Sequence, residues 1–223
     1  MNKILTAALG AVAFVLIGGG FLIVQPPNVI APQTLNAQAI QVQAEGEAPV
    51  IEDMILGDES APVTVVEYAS FTCPHCRTFH ENVFGDLKAN YIDTGKVKFV
   101  YREVYFDKFG LWAGMVARCA GPDRYFGVVD LLYENQTEWL SSRNDAQIAA
   151  DLRKIGLTSG IEPEALDACL ADGAQAQAMV AAFQVNAEAD SVRATPTFFI
   201  DGESYTNMNY ADFSAVLDAR LEN

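Results

Sequence analysis

The sequence predicts an α/β fold in which a single sheet draws strands from both ends of the folded chain and a helical block is inserted between them. Three observations predict it. The β-branched, apolar run Val63–Ala69 passes directly into a helical pattern, as a buried strand feeding a helix does. A second alternating run, VKFVYREV at 97–104, follows within one connection. The next strand-like run, Thr197–Ile200, comes only after a long stretch of helical spacing.

Each element has a local cause. Pro62 marks the entry to the first strand, where a missing N–H costs a sheet nothing. Residues 74–91 read as the first helix, opened by Pro74, which suits a first turn. Trp112, Met115, Val116 and Cys119 recur at helical spacing, and Gly121-Pro122 stops that helix and starts another through Tyr125, Phe126, Val129, Leu132 and Tyr133. Ile148, Leu152 and Ile155 form a third apolar stripe, and Leu166, Cys169 and Leu170 a fourth. Pro196 opens the late strand, Asp201-Gly202 turns it, a short strand follows at 204–206, and Tyr210–Leu221 closes the chain as an amphipathic helix. No internal repeat is visible.

Ahead of this body, residues 4–24 carry no charge and no proline. A helix of that length spans roughly 31 Å, enough to cross a hydrocarbon core of about 30 Å. A cleavable secretory signal has a shorter apolar run followed closely by a small-residue site, whereas here Pro26 and Pro27 follow and the A-x-A at 37–39 lies far downstream. The expectation is an uncleaved signal anchor, with a cleaved signal as the alternative. Lys3 before the segment and acidic residues after it place the body on the outer, periplasmic side, where disulfides persist. The organisation expected is therefore a signal anchor or signal peptide at 1–24, a linker at 25–49 and a folded domain at 50–223, with the helical insertion at about 107–190. A net charge of −15 excludes nucleic acid as a partner, since phosphates need clustered Lys and Arg.

Cys73-Pro74-His75-Cys76 sits where the first strand meets the first helix. There the unpaired N–H groups and the dipole of the helix favour an anion, and a thiolate at Cys73 is that anion. Cys76, one turn on, can close a disulfide with Cys73, and His75 can add a charge or a donor. A pair of this spacing could be half of a zinc site, but no second close pair of ligands exists: Cys119 and Cys169 stand singly, and His75 and His80 share one stretch. No metal and no cofactor is expected, and His80 reads as a helix-surface residue without a role. Pro196 suits either a strand's first residue or a cis turn, and on these residues alone the ordinary strand-entry proline is the favoured reading.

The strand–CPHC–helix start, the inserted helices and Thr195-Pro196-Thr197-Phe198-Phe199 before a final helix together resemble the DsbA-type branch of the thioredoxin-fold family, from about Val50 to the C-terminus. The resemblance implies a thioredoxin-like α/β fold with a helical insertion. It implies that Cys73 is the exposed attacking thiol, Cys76 the buried resolving one, and Thr195-Pro196 a cis-proline loop that helps hold a substrate polypeptide. Glu67, six residues before Cys73, matches the family's buried acid, which assists proton transfer at the buried thiol; a partly exposed strand carboxylate is the plain alternative. Cys119 and Cys169 each lie on an apolar stripe, so two buried thiols would satisfy packing. An oxidising compartment, the even count and the matching faces favour a structural disulfide, and members of the family from alphaproteobacteria carry such a second pair.

The activity implied is thiol–disulfide oxidation of exported, cysteine-containing polypeptides, with a quinone-linked membrane protein as reoxidant. The rivals are an isomerase or reductase of the same fold and a non-catalytic binding or chaperone module.

Overall fold

The computed structural model describes residues 49–222, so the apolar segment at 4–24 and almost all of the linker lie outside the described residues. Five strands form one sheet in the order β1-β3-β2-β4-β5. They are β1 (Met54–Leu56), β2 (Val63–Ala69), β3 (Val97–Glu103), β4 (Thr197–Ile200) and β5 (Glu203–Thr206). β2 and β3 run parallel and every other neighbouring pair is antiparallel.

Parallel neighbours need a crossover, and here it is α1, helical throughout 74–92 with two stretches wound as π-helix, His80–Phe84 and Lys88–Ile92. Between β3 and β4 lie α2 (Lys108–Cys119), α3 (Pro122–Glu134), the short α4 (Gln136–Trp139), α5 (Asp145–Thr158), α6 (Pro163–Leu170) and α7 (Gly173–Ala189). The chain closes with α8 (Tyr210–Leu221). The connection from β4 to β5 turns through Asp201 and Gly202, both with positive φ, 48° and 86°, a backbone that Asp tolerates and Gly adopts freely.

Besides the short α4, two elements are not expected from the sequence. β1 has three residues, too few to display a period. α7 buries fully only Met179, so its 17 residues show no apolar stripe.

β2 positions the site. Val63, Val65, Glu67 and Ala69 alternate onto one face and all are fully buried. In register, Glu67 lies between Tyr101 of β3 and Phe198 of β4. Phe198 packs on Phe79 of α1 and Phe213 of α8, at ring-centroid distances of 4.6 and 5.1 Å. Tyr101 meets Tyr125 and Phe126 of α3. A carboxylate therefore stands inside an aromatic layer, where burial without partners is expensive. On the opposite face the Tyr68 hydroxyl donates to Asp190, just beyond α7, and Arg102 joins Tyr68, Asp190 and Asp53.

Candidate active site

Cys73 is the N-cap of α1, with φ −85° and ψ 120°, and Pro74 follows at the first helical position. The turn before it is closed by the Cys73 N–H donating to Ser70 O at 3.0 Å, and the first helical bond runs from Arg77 N–H to Cys73 O at 3.2 Å. Two side chains from the insertion fix this turn from outside. Gln136, buried at 3 % exposure, donates from Nε2 to Phe71 O at 2.8 Å and to Cys73 O at 3.0 Å. Asp107 caps α2 by accepting from the N–H groups of Phe109 and Gly110, and its second oxygen accepts from the Thr72 hydroxyl at 2.8 Å.

The two sulfurs stand as thiols in unlike environments, Cys73 half-buried and Cys76 fully buried. The Cys76 thiol, as a hydrogen-bond donor, is the largest influence pulling the Cys73 pKa down, to about 5. Partial burial opposes it, while the Thr195 side chain and the backbone N–H groups of Cys76 and His75 assist. Those N–H groups lie outside ordinary capping geometry, so their effect is electrostatic rather than that of a formed cap bond. Cys76 moves the other way. Burial raises its pKa far above the usual thiol range, and the Cys73 partner and the Glu67 charge add to the rise.

From 122 residues away, Thr195 completes the sulfur's surroundings. The Cys73 sulfur lies 3.4 Å from Thr195 O, and the Thr195-Pro196 peptide is cis. The Thr195 hydroxyl oxygen is buried without a hydrogen-bond partner of ordinary geometry. The His75 side chain is exposed, and what His75 contributes to the sulfur is its N–H. Glu67 is fully buried beneath the pair, so it is not a partly exposed strand carboxylate.

His80 departs from the expected surface position. Its side chain is 4 % exposed, with Nε2 3.3 Å from Glu67 Oε2. The ring stacks between Tyr133 and Phe84, at centroid distances of 4.3 and 4.6 Å. The reason is spacing. His80 lies four residues after the buried Cys76, on the same face of α1, and the first π-wound stretch begins there. That i, i+4 relation to a cysteine already expected to be buried is the signal that could have found it. For Gln136 no comparable signal exists, because its role depends on where the insertion folds back. Among the described residues, no three His, Cys, Asp or Glu side chains converge in a way that could hold a metal ion.

Cys119, at the end of α2, and Cys169, in α6, are joined by a disulfide with Cα atoms 6.0 Å apart. It ties two helices of the insertion.

Comparison with known proteins agrees with this geometry. The Thioredoxin family model matches residues 50–219. A Rickettsia bellii protein with the provisional name protein-disulfide oxidoreductase is 34% identical over 171 residues, 76% of this chain and 65% of its own length. Across the Rickettsia relatives matched, the chain spans 60–65% of their length. Disulfide bond formation protein D of Bacillus subtilis is 28% identical over 180 residues, 77% of each chain. The crystal structure of Wolbachia pipientis alpha-DsbA1 superposes with a TM-score of 0.71 at 28% identity, covering 78% of this chain and 93% of that one. The chain belongs to the thioredoxin family, and within it to the DsbA-type branch.

Proposed function

We propose that the protein is a thiol–disulfide oxidoreductase that oxidises cysteine pairs in exported polypeptides through Cys73 and Cys76. The observation that carries this reading is the contrast between the two thiols: Cys73 is drawn down to about 5 while Cys76 is buried and held protonated. A stable Cys73 thiolate favours the reduced form, which makes the disulfide an oxidant. Each unit of lowering is worth about 30 mV at a pH above the shifted value.

The exchange is written from the disulfide form. A substrate thiolate attacks the Cys73 sulfur, forming an intermolecular S–S bond as the Cys73–Cys76 bond breaks. Cys76 leaves as a thiolate and takes a proton, for which buried Glu67 is the nearby acid. The substrate's second thiolate then attacks its own sulfur in the mixed disulfide and expels Cys73 as the stabilised thiolate. Two electrons pass from the substrate to the cysteine pair. Thr195 borders the Cys73 sulfur and, with Pro196 across the cis peptide, is proposed to hold the substrate backbone during attack. The Cys119–Cys169 bridge is assigned a structural role, because it lies within the insertion.

The apolar segment 4–24 is assigned as an inner-membrane anchor that keeps the domain on the periplasmic side, near a quinone-linked reoxidant. Fractionation with N-terminal sequencing of the mature protein tests this assignment, and a soluble product starting downstream of residue 24 would refute it.

The reduction potential of the Cys73–Cys76 pair in glutathione buffers tests the activity. The expected value is nearer the roughly −120 mV of a strong oxidant than the roughly −270 mV of thioredoxin. A value at the thioredoxin end would turn the reading toward a reductase.

A further inference from the structure

Reduction of the pair leaves a proton on Cys76, and reoxidation must remove it, yet Cys76 and Glu67 have no exposed surface. The proton therefore needs an outlet. From the arrangement of side chains we infer that His80 is that outlet, a positioning residue that holds the Glu67 carboxyl and carries its proton to an acidic cavity that His80 also lines. The inference rests on the exchange reading above.

Three observations carry it. His80 Nε2 is 3.3 Å from Glu67 Oε2, so the imidazole directly contacts the buried acid. The same residue lines a cavity of about 300 Å³ with Glu81, Asp130, Tyr133 and Glu134. Finally, Glu67 Oε1 and His80 Nδ1 are both buried without a hydrogen-bond partner. Each of the two groups therefore keeps one polar atom uncommitted, unlike a pair closed for stability alone.

The neighbours restrict the route. Stacking between Tyr133 and Phe84 fixes the plane of the ring. The Tyr101 hydroxyl is bonded to that of Tyr133 at 2.7 Å, and Tyr133 donates onward to Ser70 O, so both phenols are engaged. Burial drives the pKa of either phenol well up, which removes them as proton exchangers near neutrality. The ionisable groups left facing His80 are Glu67 from β2, Cys76 and Glu81 from α1, and Asp130 and Glu134 from α3. Asp130 and His80 line the same cavity, and burial raises the Asp130 pKa while its His80 neighbour opposes the rise.

In reoxidation the Cys76 thiol gives its proton to the Glu67 carboxylate, which passes it to His80 and so to the cavity. The Cys76 thiolate then attacks the Cys73 sulfur of the mixed disulfide with the oxidant. The new S–S bond forms as the bond to the oxidant breaks, and the oxidant's sulfur leaves as a thiolate. Oxidation of a substrate runs the proton steps in reverse.

The test follows the intramolecular step of oxidation by oxidised glutathione, read as release of the second glutathione across pH in single-turnover stopped flow. His80→Gln is expected to slow that step about a hundredfold at neutral pH, at the modest end of general acid–base effects, and to flatten its pH profile. The Cys73 alkylation profile should not move. Glu67→Gln should act on the same step, and the double variant should be slower than Glu67→Gln alone by less than twofold. In His80→Ala, added imidazole should restore the rate through the cavity, a rescue that repaired packing would not give. An unchanged pH profile in His80→Gln, effects that multiply in the double variant, or failure of imidazole to rescue a folded His80→Ala would each overturn the inference. Failure of the exchange reading itself shows separately, in the unaltered protein, as a Cys73–Cys76 pair that glutathione does not oxidise.

Discussion

The side-chain amide of Gln136, buried at the start of α4, donates to the carbonyl of Cys73 at 3.0 Å across 63 residues of sequence. The same nitrogen donates to Phe71 O, so one residue of the insertion holds both ends of the turn that presents the reactive sulfur. Replacing Gln136 with Leu leaves two buried carbonyls without these donors. The expected cost is about 1–3 kcal/mol in a urea titration, with broadened resonances over 71–73 that mark a loosened turn. Stability and spectra equal to those of the unaltered chain would show that the carbonyls find other donors.

Because the Cys76 thiol is the largest influence on Cys73, Cys76→Ala should raise the pKa of Cys73 above about 5. Cys76→Ser, which keeps a donor, should raise it less. Iodoacetamide rates against pH, with thiolate absorbance as a second measure, give both values. Equal values in the two variants would move the cause to the helix terminus.

The same shift makes stability depend on pH in the reduced form. The Cys73 pKa is depressed in the folded state relative to an ordinary value of 9.0. Its contribution is therefore fully present above about 9 and is lost as pH falls toward about 5. The disulfide form has no such thiolate. The stability of reduced minus oxidised protein should accordingly rise with pH across that window, with a slope below the one-proton limit of about 1.4 kcal/mol per pH unit. Paired urea titrations of the two forms measure it, and a flat difference would contradict the low pKa.

Arg118 and Glu103 form a nearly buried two-bond pair, at 2.7 and 2.6 Å, and Tyr125 also donates to Glu103. Arg118→Ala leaves a carboxylate inside the protein with one neutral donor. The expected loss is about 3–5 kcal/mol. The double variant Glu103→Gln/Arg118→Met should lose less, because no unpaired charge remains. Denaturant midpoints for the two variants decide between a charge effect and simple loss of packing.

Opening the Cys119–Cys169 bridge by Cys119→Ala/Cys169→Ala should lower stability by about 4 kcal/mol on loop entropy alone, given the 50-residue separation. The Cys73 alkylation profile should be unchanged. A shifted profile would show that the insertion transmits to the active turn.

Much of this molecule can be read from the chain before any coordinates. Val63–Ala69 opens with four consecutive β-branched residues, and CPHC falls where that strand must become a helix, so the strand, the helix and the reactive sulfur are local consequences of sequence. Tyr210–Leu221 and the Asp201-Gly202 turn are local in the same sense. What escapes is non-local. α7 is almost everywhere partly exposed and shows no stripe, β1 depends on an edge offered by β3, and Gln136 matters only once α4 packs on the turn at 71–73. His80 is an intermediate case: its spacing from Cys76 is local, but Glu67 reaches it only through the sheet.

The separation of Cys73 from Thr195 has a consequence for how the chain comes into being. A ribosome delivers Cys73, Cys76 and Cys119 before Cys169, and Thr195 only after all four. Pairing strictly in order of emergence would join Cys73 to Cys76 and Cys119 to Cys169, and the second of these is the bridge found here. The Cys73 sulfur gains its Thr195 neighbour last, so a chain truncated anywhere before residue 195 lacks the carbonyl that borders its reactive sulfur. Synthesis through residue 195 is thus written into the reactivity of a residue 122 positions earlier.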